Sequence, residues 1–436
     1  MPAENDPGAL SIGDTIFALS SGQPPAGIAV VRISGPMAGG AVDRLTSARP
    51  EPRRAVLRNL ADSDGGLLDR ALVLWFPGPA TATGEDLAEL HLHGGRAVVA
   101  AVLDALGRMP GLRPAVAGEF TRRAFDHGRI DLIEAEALGD LLAAETEGQR
   151  RSAMILADGR LSRAIAGWQE RLLMLSAAIE AMLDFADEDD VDADTQDIND
   201  RAITLGSEVR QWLAWPAAER LRDGIRVVLA GPPNAGKSTL LNALAGRDAA
   251  IVTEIAGTTR DLIEVPVALE GIAFVITDTA GLHDSADLVE QMGMARATAA
   301  MATADIVLWL GAPEDRPDHP RTMSIGAQSD RRLLDPAIHD VLLSARTGEG
   351  MADLIQSLLG LARCLLPGEG EGALNRRQRD GLGEVVGSLD QIGSSADPVL
   401  VAEGLRAARI ALDALTGRAG TEDMFDRLFG AFCIGK

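Results

Sequence analysis

Short apolar runs alternate with turn residues over the first part of the chain. Ile28 to Ile33 (IAVVRI), Arg70 to Phe76 (RALVLWF) and Leu87 to Leu92 (LAELHL) have the length and composition of strands, and Arg96 to Arg108 has helical spacing. Residues 10–120 are therefore expected to form an α+β region. From about Ile130 the period changes. Leu132, Ile133, Ala137, Leu138, Leu141 and Leu142, then Leu172, Leu173, Leu175, Ile179 and Met182, recur at helical spacing without proline. Such stripes predict long amphipathic helices whose apolar faces form core. Residues 222–366 alternate strands and helices, as a doubly wound α/β domain does. Pro367 to Gly372 (PGEGEG) reads as a linker, and residues 375–418 and 421–433 return to helical texture. The pattern predicts a multidomain chain. An α+β domain spans 1–122, and an all-α domain is split into 123–221 and 373–436 by an inserted α/β domain at 222–366. Insertion succeeds where two chain ends lie close at a surface.

Composition narrows the reading. Aromatics are 3% and tyrosine is absent, so the cores must be built from Ala, Leu, Val and Ile. Lys and Arg number 41 against 64 Asp and Glu, a net charge of −23. That argues against non-specific coating of nucleic acid but leaves room for a local basic groove. Cys364 and Cys433 form neither a zinc pattern nor a disulfide framework, so a reducing, cytoplasmic location is expected. The first residues have no secretory pattern, and no apolar run approaches the roughly 18 residues of a membrane span. Residues 184–200 carry nine acids and no base, without the Gly and Glu of a calcium loop, and read as a solvated connection. His91 and His93 alternate on a strand without further ligands at metal spacing, so structural roles are expected.

The chemistry concentrates in Gly231-Pro232-Pro233-Asn234-Ala235-Gly236-Lys237-Ser238. Two glycines, a lysine and a hydroxyl at this spacing fit a P-loop. The loop follows an apolar strand, Ile225 to Ala230, and opens a helix, as phosphate binding requires. Backbone N–H groups of Asn234, Ala235, Gly236 and Thr239 would close on phosphate oxygens. Lys237 would reach the β- and γ-phosphates, and Ser238 would ligate Mg²⁺. Asp278-Thr279-Ala280-Gly281 follows the strand Ile272 to Thr277, so Asp278 can hold Mg²⁺ through water and Gly281 can offer an N–H to the γ-phosphate. Thr259, in Gly257-Thr258-Thr259-Arg260-Asp261, can supply a second hydroxyl to Mg²⁺ from a switch loop. These motifs resemble the GTPases of the Era, Der and MnmE type. Leu282 stands where a Ras-like enzyme keeps its water-orienting Gln, so another residue must position water.

The flanks narrow the likeness. They are Val30-Val31-Arg32-Ile33-Ser34-Gly35, Thr83-Gly84-Glu85-Asp86, Gly118-Glu119-Phe120-Thr121-Arg122-Arg123-Ala124-Phe125 and the final Phe432-Cys433-Ile434-Gly435-Lys436. With the central GTPase motifs, they make the whole chain similar to the MnmE (TrmE) family of tRNA modification GTPases. The resemblance implies GTP hydrolysis and a folate-binding N-terminal domain that also forms a homodimer. It implies a partner, the FAD protein MnmG, with which the C5 of a tRNA wobble uridine acquires aminomethyl or carboxymethylaminomethyl groups. It further implies a K⁺ site at Asn234, Thr253, Ile255 and Thr258. Glu290 becomes the water-orienting residue, and Arg32, Glu89, Arg129 and Lys436 become contacts to 5-formyltetrahydrofolate. Cys433 matches a cysteine suspected of chemistry.

The chain departs from the family pattern in three places. The base-reading N-K-x-D appears as Ala327-Gln328-Ser329-Asp330, where Asp330 alone survives, with Ser344-Ala345 behind the guanine position. Ala82 replaces an aromatic before T-G-E-D, and Arg129 replaces a lysine. Two other classes are compatible with parts of the pattern: a ribosome-assembly GTPase, and a folate-dependent one-carbon enzyme with a degenerate GTPase.

Overall fold

The computed structural model describes residues 13–184, 195–246, 263–278, 298–332, 334–368, 370–393, 395, 397–419 and 422–435. The chain divides into two compact units. One comprises residues 1–139 with 416–436, the other residues 140–415.

The first unit is built on a six-stranded sheet. Its strands are β1 (Thr15–Leu19), β2 (Ile28–Ser34), β3 (Val56–Ala61), β4 (Leu67–Phe76), β5 (Leu87–His93) and β6 (Leu112–Pro114), in the order β3-β4-β5-β2-β1-β6. Neighbours are antiparallel except β1 and β6. Alternate residues point to opposite faces. Phe17, Val31, Ile33, Val73, Leu90 and Leu92 form a core with helices α1 (Ala38–Thr46) and α2 (Arg96–Gly107). From the other face Ile16 and Ala18 meet Ala115 and Phe120, the latter on α3 (Glu119–Asp126). Helix α4 (Leu132–Ala143) begins in this unit. Leu132 and Ala135 pack there with Phe425, Phe429 and Phe432 of the distant segment, which carries the last helix, α13 (Glu422–Gly430). Ring centroids of Phe125 and Phe425 lie 5.0 Å apart. Arg122 of α3 is ion-paired with Glu422 and Asp426 of α13.

The second unit holds helices α5 (Glu147–Ala157), α6 (Arg160–Asp184), α7 (Thr195–Leu213) and α8 (Ala218–Arg222). Next come β7 (Ile225–Ala230), α9 (Lys237–Ala245), β8 (Ile263–Leu269), β9 (Ile272–Asp278), β10 (Ile306–Trp309), β11 (Thr322–Ala327), β12 (Val341–Leu343) and α10 (Met351–Arg363). Helices α11 (Arg376–Gly393) and α12 (Pro398–Thr416) follow. The sheet order is β12-β11-β10-β7-β9-β8, parallel except for the β8–β9 pair. Pro266 lies on the edge strand β8, where a missing N–H need not break the ladder. Leu229, Leu240, Leu244, Phe274, Ile276, Leu308, Ile325, Leu354 and Leu358 fill the core of this part.

The segments flanking the α/β part run side by side. The N–H of Ala218 donates to the Leu374 carbonyl at 2.9 Å, and that of Leu374 to the Pro216 carbonyl at 3.2 Å. The N–H of Ala373 donates to Ser152 Oγ at 2.7 Å.

Candidate functional site: the phosphate loop and the sheet that carries Arg32

Because β7, β9, β10, β11 and β12 run parallel, the segments leaving their carboxyl ends share one edge. Strand β7 lies between β9 and β10, so the chain departs to both sides of it and opens a crevice there. The loop after β7 turns through left-handed backbone at Asn234 (φ 61°) and Gly236 (φ 101°) and then starts α9. Asparagine tolerates that conformation better than most side chains, and glycine adopts it freely. Successive N–H groups in such a turn, with a helix N-terminus behind them, make a cradle for an anion.

Lys237 is 3% exposed, and its Nζ donates to the carbonyls of Gly231 and Pro232, each at 2.9 Å. Burial pulls its pKa below the ordinary lysine value, and the charge of Asp278 works in the opposite direction. Ser238 Oγ donates to Asp278 Oδ2 at 2.6 Å. A hydroxyl and a carboxylate together suit a hard cation such as Mg²⁺. Ala235 is buried, whereas Asn234 and Thr239 are exposed.

The loop after β11 reaches the phosphate loop. Gln328 has left-handed backbone (φ 63°), and its Nε2 donates to the Asn234 carbonyl at 3.2 Å. A Cβ at Gly236 would sit 4.0 Å from Ala327 Cβ. Asp330 Oδ1 accepts from Ser344 Oγ, just past β12, at 2.8 Å. The structure thus brings Asn234, Gly236, Ala327 and Gln328 together, and separately joins Asp330 to Ser344. Thr253, Ile255, Thr258, Thr259, Thr279, Ala280, Gly281, Glu290 and Lys436 lie outside the described residues.

In the first unit Arg32 and Glu89 are cross-strand neighbours on β2 and β5. Arg32 Nη2 and Nε donate to Glu89 Oε1 at 3.0 and 3.2 Å. The guanidinium also lies 5.8 Å from the Phe120 ring centroid, and His91 Nε2 is 3.3 Å from Glu89 Oε2. His93 Nδ1 is 2.7 Å from Asp69 Oδ1. Arg129 is exposed and lies beside the T-G-E-D turn: a Cβ on Gly84 would come 3.4 Å from its Cγ. Cys433 is exposed. Its neighbour Ile434 bridges to Ala117. Gly435 (φ 96°) is so close to β1 that a Cβ would lie 2.1 Å from the Leu19 carbonyl oxygen. Because Ala18 is the register partner of Arg32, Gly435 meets the end of the strand next to the one carrying Arg32.

A buried ionic network in this unit joins residues that are distant in the sequence. Glu119, 2% exposed at the start of α3, accepts from Arg113 Nη1 and Nη2 at 2.9 and 2.6 Å, and from Arg123 Nη2 at 3.2 Å. It also accepts from the Val116 N–H at 2.9 Å. Arg123 continues to Glu85 at 3.0 Å, and Glu85 accepts from Ser34 Oγ at 2.8 Å. Ser34 in turn lies 2.7 Å from Thr83 Oγ1. The T-G-E-D and G-E-F-T-R-R segments are therefore two halves of one ionic network. Its sequence signal was the Glu119–Arg123 pair one helical turn apart.

The loop after β7 and the carboxylate ending β9 make the second unit the home of a P-loop nucleotide-binding domain. Likeness in sequence says which kind. Residues 15–129 match the family model described as "GTP-binding protein TrmE N-terminus", and residues 132–433 match the model "MnmE helical domain". The tRNA modification GTPase MnmE of Rhizorhabdus wittichii is 67% identical over 439 residues, covering 100% of this chain and 99% of that protein. Its counterpart in Sphingopyxis alaskensis is 59% identical, covering 93% of this chain and 100% of that one. Among solved structures, a point variant of Aquifex aeolicus Era bound to GDP and aluminium fluoride is 22% identical with a TM-score of 0.26. It covers 36% of this chain and 60% of its own, a likeness too slight to carry weight. The chain belongs to the MnmE family of tRNA modification GTPases and is a GTP hydrolase involved in tRNA modification. Among the described residues no helix is long and apolar enough to cross a membrane.

Proposed function

We propose that this GTPase is stimulated by K⁺, acts in the cytoplasm as a homodimer with an MnmG-like FAD protein, and modifies C5 of the tRNA wobble uridine. In this reading the α/β part is an insertion in a helical domain, supported by the side-by-side segments at 216–218 and 373–374. Lys237 leaves the loop carbonyls to meet the β- and γ-phosphates. Ser238 and Asp278 would hold Mg²⁺, and Asn234 would contribute an oxygen to K⁺ with Thr253, Ile255 and Thr258. When bound, such cations would supply positive charge toward the transferred phosphoryl group. Glu290 orients water, a task Leu282 cannot perform. Arg32, Glu89, Arg129 and Lys436 bind a folate such as 5-formyltetrahydrofolate, with Cys433 at its edge.

The observation that supports this reading is the close approach of Gly435 to β1, with Ile434 bridged to Ala117, in the same unit as Arg32 and Glu89. The test is mass analysis of wobble uridines from a deletion strain carrying either the wild-type chain or Gly435→Ala. The added methyl meets the backbone of β1 and undocks the segment. Modified uridines are expected to vanish in the deletion strain and to fall at least tenfold with Gly435→Ala. GTP turnover of the purified variant should stay within twofold, and turnover of the wild type should be faster in K⁺ than in Na⁺. Unaltered uridines in the deletion strain would refute the reading.

Guanine recognition is expected to be weakened but selective. Ala327 cannot hydrogen-bond a base, and the Gln328 amide is spent on the Asn234 carbonyl. That bond ties the base loop to the phosphate loop, replacing part of what the missing asparagine does. The remaining loss corresponds to about 1.5 kcal/mol, roughly tenfold in affinity. Ala327→Asn with Gln328→Lys should tighten GTP by about that factor, measured by calorimetry, and Asp330→Asn should favour xanthosine triphosphate.

A further inference from the structure

Helix α6 carries a glycine, Gly167, in its interior, and nothing lies within 4 Å of where its Cβ would be. Glycine weakens a helix interior, so an open position of this kind costs stability without relieving any crowding. The missing side chain opens a notch of about 380 Å³ between α6 and α7. Arg163, Gly167 and Arg171 line it at four-residue intervals. The two guanidinium groups therefore spring from one face, a turn above and a turn below the gap. Across the notch stand Gln211 and Trp212 of α7.

The aromatic content is unusual for this chain. Three of its five tryptophans gather here. Trp212 has Trp215 behind it, with centroids 4.3 Å apart, and Trp168 edge-on at 6.3 Å. Trp212 and Trp168 line the notch, whereas Trp215 does not. Glu208 accepts from Trp168 Nε1 at 3.3 Å and from Arg171 Nη1 at 2.7 Å, which fixes both side chains. Arg163 contacts Asp158 but is 66% exposed, and Arg171 is 38% exposed. A guanidinium carries five N–H donors, so both retain donors for a further acceptor.

We propose that this notch is a contact site for single-stranded RNA. One unpaired base lies against Trp212, and the phosphates on either side of it meet Arg163 and Arg171. Stacking on an indole combined with arginine contacts to the backbone is how single strands are held without base reading. Each guanidinium is paired with one carboxylate, Arg163 with Asp158 and Arg171 with Glu208, and offers its remaining N–H groups to phosphate. The proposal rests on the reading that the protein handles tRNA.

The test is Gly167→Leu in the full-length protein, which fills the notch at a position with free space. Binding of an unmodified tRNA transcript and of a short single-stranded oligoribonucleotide is followed by filter retention and tryptophan quenching. The variant should keep its helical signal and GTP turnover, melt no lower than wild type, and bind both RNAs about tenfold more weakly. Arg163→Ala with Arg171→Ala should flatten the log–log salt dependence of binding by about 1.4, or about 0.7 per lost phosphate contact. Trp212→Leu, which keeps apolar bulk but removes the stacking face, guards against a misfolded first variant and should lose the same affinity. Wild-type affinity in folded Gly167→Leu and Trp212→Leu overturns the notch alone. Failure of the wild type to bind tRNA overturns the notch and the tRNA reading together.

Discussion

Lys237→Ala is expected to reduce GTP turnover at least a hundredfold while leaving a folded protein. The ammonium is held over the loop by two carbonyls and is partly stripped of water, so a phosphate displaces weak partners and gains a charge-assisted bond. Removing one preorganised donor to a developing oxyanion costs about 3 kcal/mol in comparable sites, which is the hundredfold expected. The fold should survive, because what is lost is local: two carbonyl contacts at about 1 kcal/mol each. Lys237→Arg should not rescue turnover, since the planar fork cannot replace a point charge in a loop this tight. Phosphate release under saturating GTP, with a melting curve for each variant, provides the check. Turnover within twofold of wild type would mean that the loop after β7 is not where phosphate binds.

The second large effect concerns Glu119. Glu119→Ala should destabilise the first unit by about 3–5 kcal/mol, the cost of breaking a buried ion pair from one side. Arg113 and Arg123 would then face each other without their shared carboxylate, and the Val116 N–H would lose its acceptor. Burial pushes the Glu119 carboxyl upward. The hydrogen bonds from Arg113 and Val116 and the charges of the two arginines outweigh it, so its pKa lies below the ordinary 4.5. A carboxylate depressed in the folded state stabilises fully above its unfolded pKa, and that stability fades as pH falls through the folded value. Wild-type stability should therefore fall as pH drops below about 4.5, and Glu119→Gln should flatten the drop while lowering stability at pH 7. A Glu119→Ala protein that melts with the wild type would show that the network contributes nothing net.

Much of this was legible in the sequence where periodicity or backbone chemistry leaves a local mark. The expected strands lie within β2, β4, β5, β7 and β9, the helix predicted at 96–108 is α2 almost residue for residue, and the helix expected to open after the phosphate loop is α9. Strands β1, β3 and β6 went unread. β1 and β6 are only five and three residues long, and β3 mixes Arg and Asn into its run. The glycines of the phosphate loop announce themselves because left-handed backbone restricts which residues fit. The ionic network left only the Glu119–Arg123 spacing as a mark, because Glu85 and Arg113 join that pair only after the sheet and α3 assemble. The swing of Gln328 onto Asn234 was equally hidden, since it depends on a contact between residues 94 positions apart.

The aromatic cluster that joins α13 to α3 and α4 bears on how the protein is made. Phe425, Phe429 and Phe432 supply much of the apolar surface that Leu132 and Ala135 bury, yet the ribosome delivers them only after residues 140–415. Domains commonly fold in order of emergence, the amino-terminal one first. Here the amino-terminal unit must wait with an open flank while the nucleotide-binding part emerges and folds. A chain that stops early leaves Phe125 and Leu132 uncovered, marked by an exposed apolar surface of the kind chaperones and proteases recognise. Full-length synthesis is thus written into the packing of the first unit.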